Sequence, residues 1–161
     1  MAELKTNVMR ILDKAKIPYQ AHFYPHQDGL IDGVSTAQKL GEDPARVFKT
    51  LVTKGASGRY HVFEVPVAEE LDLKKAAKAA GEKSVAMIHV SEINAVTGYI
   101  RGGCSPIGMK KQHPTVLDET ARQFETIYVS GGKIGAQVEL NPNDLAVFIH
   151  ASYAPLTLKQ D

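Results

Sequence analysis

The sequence predicts an α+β fold of several short strands, mostly in hairpins, flanked by helices. Two observations carry this. Segments with apolar residues at helical spacing are interspersed irregularly with short runs rich in branched and aromatic residues. Turn residues separate successive strand-like runs, as at Gly55–Gly58 and Ser130-Gly131-Gly132-Lys133, rather than the long crossovers of a regular βαβ alternation. No repeat, low-complexity tract or linker is evident, so the 161 residues are expected to form one domain, 1–161, with its own core.

The elements follow in order. Leu4, Val8, Ile11 and Leu12 recur at helical spacing behind Thr6 or Asn7 as cap, and Lys16-Ile17-Pro18 ends that helix. Tyr19–Tyr24 alternates as a strand and Pro25 stops it, leaving His26–Gly33 as a loop. Ser35 is expected to cap a short helix through Leu40, with Gly41 past its end. Asp43-Pro44 reads as a cap with proline at the first helical position, and Val47–Val52 as a strand. Tyr60–Val67 returns as the second arm of a hairpin, and Asp72 caps a helix over Leu73–Ala80 closed by Gly81. A short strand at Val85–His89 and a short helix at Ser91–Val96 come next. Strands at Thr115–Leu117, Thr126–Val129 and Ala136–Leu140 precede a helix over Asn143–His150 capped by Asn141. Leu156–Leu158 is expected to add an edge strand.

Composition narrows the function. Nineteen Lys and Arg against eighteen Asp and Glu leave a formal charge of +1, too balanced for gripping a long nucleic acid by phosphate neutralisation alone. No apolar run reaches transmembrane length and Met1–Lys16 is not a signal peptide, so a cytoplasmic protein is expected. Cys104, the single cysteine, excludes an internal disulfide framework and a Cys-rich zinc site. The histidines are scattered, and neither metal nor cofactor is expected.

Chemistry is concentrated in Thr97–Lys111. Gly98, Gly102, Gly103 and Gly108 permit positive φ or close backbone approach, Pro106 stiffens the bend, and Arg101, Lys110 and Lys111 place cations at both ends. Such a loop suits a phosphate-bearing substrate, and equally an elaborate turn. Lys49 shares its strand face with Val47 and Leu51. It is either an edge-strand lysine whose stem lies along apolar surface or a cleft lysine holding a phosphate or a substrate carbonyl oxygen. Cys104 lacks an evident base and reads as packed; Ser105 lacks the nucleophile-elbow spacing and reads as a turn residue. Ser130-Gly131-Gly132-Lys133 lacks phosphate-loop spacing.

Several segments in order resemble one family. They are Val47-Phe48-Lys49-Thr50-Leu51, Leu71-Asp72-Leu73-Lys74-Lys75, Thr97-Gly98-Tyr99, Gly102-Gly103-Cys104-Ser105-Pro106-Ile107-Gly108 with Lys110-Lys111, and Ile127-Tyr128-Val129-Ser130-Gly131-Gly132-Lys133. Over nearly the whole chain they resemble the YbaK family of aminoacyl-tRNA deacylases, related to the editing domain of bacterial prolyl-tRNA synthetases. The resemblance is strongest to the branch acting on Cys-tRNA(Pro). It implies a strongly curved, mostly antiparallel mixed sheet, barrel-like and flanked by helices. It implies that Lys49 is the essential lysine. Tyr19, Thr50, Gly102, Gly103, Ser105, Pro106, Gly108, Ser130, Gly131 and Gly132 are the substrate-binding positions it implies. One departure stands out: an acidic residue is implied a few positions past the Ser-Gly-Gly-Lys turn, where this chain has Gln137.

The implied activity is trans-editing of mischarged Cys-tRNA(Pro), and of Cys-tRNA(Cys), with the substrate's own thiol attacking its carbonyl. That route needs no Ser-His-Asp or Cys-His set, and none is seen. A water-based deacylase for Ala-tRNA(Pro) or another small amino acid, and a non-catalytic module binding a synthetase or a tRNA end, are the alternatives. Aminoacyl-tRNA and prolyl-tRNA synthetase are the expected partners.

Overall fold

The computed structural model describes residues 5–25 and 32–158. Leu4 and most of the expected loop at His26–Gly33 lie outside the described residues.

Helix α1 (Asn7–Ala15) starts at Thr6, whose hydroxyl accepts from the Met9 N–H, and ends at Lys16 in the left-handed conformation. It buries Val8, Met9 and Leu12. Strand β1 (Gln20–Phe23) pairs antiparallel with β7 (Ala136–Leu140), which pairs antiparallel with β6 (Ile127–Ser130). This three-stranded sheet, in the order β1-β7-β6, packs α1 and α5 (Pro142–Ile149) into one core with Ile107 and Leu117. Asn141 caps α5, as its spacing predicts.

A second sheet has the order β4-β2-β3-β5-β8. Its spine is the hairpin of β2 (Phe48–Gly55) and β3 (Tyr60–Pro66), closed by Gly55 donating to Arg59. β4 (Val85–Met87) covers only the Thr53–Gly55 end of β2, so the cleft end of that strand keeps a free edge. β5 (Thr115–Asp118) joins β3 in parallel, and β8 (Ser152–Ala154) joins β5 in parallel. Helix α3 (Leu73–Ala80), capped by Asp72, covers this sheet with Ala76 and Ala77.

The α+β class and the flanking helices are as predicted. The strands form two sheets rather than one closed barrel, bridged where Val47 meets Tyr128. Three local expectations are corrected. The N-cap of α2 (Gly33–Leu40) is Asp32, not Ser35, because the Asp32 carboxylate accepts both the N–H and the hydroxyl of Ser35. The last strand is 152–154, while Thr157 makes a single bridge to Leu71. Ser91–Val96 divides into a 3-10 turn and α4 (Ile93–Thr97). No helix among the described residues is long and apolar enough to cross a membrane.

Candidate active site

A cleft of about 480 Å³ opens where the two sheets meet. β2 supplies Lys49 and Thr50 from its free edge, and β6 and β7 supply Ser130 and Gln137. The start of α2 supplies Asp32 and Thr36, and the glycine-rich loop closes the mouth with Arg101, Gly102 and Cys104.

Lys49 is half-buried, and burial pulls its ammonium below the ordinary lysine range, against the opposing pull of Glu70 and Glu69. Among the described residues it makes no hydrogen bond or ion pair. A desolvated cation with unsatisfied donors facing a cleft is poised to take an anionic or carbonyl oxygen. Gly102 lies opposite in the wall with φ of 85°, a conformation a side chain would strain. Its N–H has no acceptor among the described residues, which leaves a backbone donor for a substrate oxygen.

The other groups are held by neighbours. Thr50 donates to Glu64 Oε1 at 2.6 Å across the hairpin, where the two residues are register partners. Glu64 is 0% exposed and its Oε2 has no partner. Burial raises that carboxyl well above its ordinary value, outweighing the Thr50 bond. Asp32 works the other way: the hydrogen bonds from Ser35 hold its carboxylate below the usual range, so the cleft keeps an anion. Gln137, with a buried and unpartnered Oε1, adds polarity without charge.

Among the described residues this wall holds no activated nucleophile. Burial pushes the Cys104 thiol up to about 12, and the thiol points to the Thr97 hydroxyl at 3.9 Å. Ser105 is fully buried, and its oxygen accepts from the Ile107 N–H. No group of three or more His, Cys, Asp or Glu side chains that could hold a metal occurs among the described residues.

Of the positions singled out from the sequence, Lys49, Thr50, Gly102 and Ser130 line the cleft. Gly103, Ser105, Pro106, Gly108, Gly131 and Gly132 do not. Gly103 lies against the Lys133–Ile134 backbone, where an added Cβ would sit 3.0 Å from Lys133 Cα, so the two glycine turns touch main chain to main chain. Tyr19 lies elsewhere, in a shallow depression with Glu125, Asn141 and Asp144. The tyrosine at the cleft is Tyr24, past the end of β1. Asp32 and Glu64 were not anticipated. The Asp-x-x-Ser spacing before α2 is a capping signal that could have placed Asp32; a glutamate inside a strand carries no such signal.

Comparison with known proteins agrees with this architecture. The family described as aminoacyl-tRNA editing domain matches residues 32–148. A protein of Enterococcus faecalis with the provisional name Cys-tRNA(Pro)/Cys-tRNA(Cys) deacylase, EbsC, is 46% identical over 97% of this chain and 95% of its own length. The crystal structure of the hypothetical protein APE2540 superimposes with a TM-score of 0.86 at 21% identity, over 95% of this chain and 100% of that one. A protein provisionally described as a trans-editing enzyme for prolyl-tRNA synthetase gives 0.82 at 24% identity, over 98% and 100% of the two chains. At these identities the two structures speak for the fold.

Proposed function

The chain belongs to the aminoacyl-tRNA editing domain family, and on that premise we propose that it is a free-standing deacylase that removes cysteine from mischarged tRNA(Pro), and from tRNA(Cys). The observation that carries the reading is a cleft with an unpaired, half-buried lysine, the bare backbone of Gly102 and, among the described residues, no activated nucleophile. The name of the Enterococcus faecalis relative supports the choice of cysteine.

An aminoacyl ester is already activated, so its cleavage needs placement and oxyanion stabilisation more than a strong protein nucleophile. In this reading Lys49 and the Gly102 N–H receive the oxygen that becomes negative. The Asp32 carboxylate attracts the substrate's α-ammonium, a role the uncharged Gln137 does not fill. Thr50 and Ser130 contact the aminoacyl group, while Gly103, Ser105, Pro106, Gly108, Gly131 and Gly132 hold the wall in place. The substrate thiol attacks its own carbonyl carbon, the bond from that carbon to the ribose oxygen breaks, and the thiol proton ends on the ribose oxygen. A cyclic thiolactone leaves. Selectivity against alanine then has a chemical source, where a small apolar pocket alone discriminates weakly. The formal charge of +1 fits an enzyme of the cytoplasm brought to its tRNA in a complex with prolyl-tRNA synthetase.

The test is release of the amino acid from Cys-, Ala-, Ser- and Pro-tRNA, with the product identified by mass. Cysteine is expected to leave fastest, and Lys49→Ala to slow it by about a hundredfold or more. Equal release of alanine and cysteine would replace the thiol route by water. Turnover of none of the four would leave a non-catalytic binding module.

A further inference from the structure

Beside the cleft runs a second groove of about 190 Å³ whose wall is apolar. Met87, Val90, Ile88 and Ile93 line it, and it shares Thr50, Arg101, Gly102 and Cys104 with the cleft. Its rim is unusually bare: Met87 is 47% exposed and Val90 56%. The cause lies in the sheet. β4 ends at Met87, and after the Ile88 N–H reaches the Val52 carbonyl the chain leaves the sheet, turning its apolar side chains outward along the edge of β2. A cluster of exposed apolar side chains next to a catalytic cleft marks a binding surface. Arg101 stands at the junction of groove and cleft, exposed, with no hydrogen bond or ion pair among the described residues.

An apolar floor next to an unpaired guanidinium is complementary to a nucleotide. Unstacked bases stack on guanidinium planes and pack between apolar side chains, and methionine supplies a polarisable surface. The connection to the cleft selects which nucleotide. An acyl carbon held at Lys49 is one bond from a ribose, and the base on that ribose must pass the wall the two cavities share. Gly102, without a side chain, keeps that wall low.

We propose that this groove seats the 3′-terminal adenine of the aminoacyl-tRNA, packed on Met87, Val90 and Ile93, with the Arg101 guanidinium against its ring or its phosphate. The proposal rests on the deacylase reading, but it is a statement about binding and is tested without turnover.

The probe is an uncharged RNA trinucleotide of sequence CCA, compared with the same trinucleotide carrying an abasic 3′ end, titrated against the wild-type chain and against Met87→Asp and Val90→Asp. Both sites are exposed, and unfolding curves check that the variants are folded. Removing the adenine is expected to weaken binding to the wild type by about tenfold, and each variant to lose most of that difference. Equal affinity of the two trinucleotides for the wild type overturns the proposal. So does an adenine preference that survives in both variants, which puts the base elsewhere. Variants that lose prolyl-tRNA synthetase while the adenine preference stays unchanged would make the groove a protein surface. Adenine-dependent binding with no turnover on any aminoacyl-tRNA would refute the enzyme and keep the groove.

Discussion

The buried Glu64 gives the sharpest quantitative expectation. Its carboxyl is fully enclosed, accepts one hydrogen bond from Thr50 and leaves Oε2 without a partner, so burial favours the protonated acid. Below its ordinary value of 4.5 the acid is protonated in both folded and unfolded chains and has no effect on the pH dependence of stability. Above that value the unfolded chain releases the proton and the folded chain keeps it. Stability therefore falls as pH rises, by about 1.4 kcal/mol per pH unit from this group, until the folded carboxyl ionises as well. Glu64→Gln does not titrate, and its amide oxygen can still accept from Thr50. Urea unfolding of both proteins at a series of pH values from 5 upward should show the difference between variant and wild type growing in the variant's favour, with a slope approaching about 1.4 kcal/mol per pH unit while the folded carboxyl stays protonated. Against a domain stability of about 5–15 kcal/mol that separation is easily measured. Parallel curves would refute the reasoning, because Glu64 would then ionise alike in both states.

Three further outcomes follow from the site. Asp32→Asn keeps the cap on α2 while removing the cleft's anion, and is expected to raise KM for Cys-tRNA(Pro) by about fivefold, or about 1 kcal/mol for a partly exposed charge pair, with kcat changed less. An unchanged KM in steady-state kinetics would remove Asp32 from substrate binding. Cys104, with its thiol pushed up to about 12, should resist iodoacetamide at pH 8 in the folded chain and react once the chain is unfolded in urea, as read by intact mass. Gly103→Ala drives a Cβ to 3.0 Å from Lys133 Cα, and should cost about 1–3 kcal/mol by overpacking, visible as a Tm lower by about 2–4 °C per kcal/mol.

Local chemistry was legible from residue order alone. Asp72 and Gly81 bracket α3 where a cap and a left-handed terminator should stand, and Asn141 with Pro142 starts α5. The β2–β3 hairpin follows from two branched runs and a glycine turn. These signals act over a few residues, so order suffices to read them. The family, and Lys49 with it, were legible through a series of segments, each with little meaning alone. The division of the strands between two sheets was not legible, because nothing in a strand's own residues says which edge it will meet; the Val47–Tyr128 contact that joins the sheets links positions about half the chain apart.

What the amino-acid order determined, then, is the set of elements, the family and the lysine to mutate first. Only the tertiary structure decided the composition of the cleft. It put Tyr24 rather than Tyr19 at the wall, hid Ser105 behind it, and brought Asp32 and Gln137 into it. It also set Glu64 beneath Thr50, so that an acid in a strand became a buried and protonated one. The physical reason is that burial and charge environment are properties of packing between distant segments, and it is packing that sets which side chains are desolvated and which atoms are left without a partner.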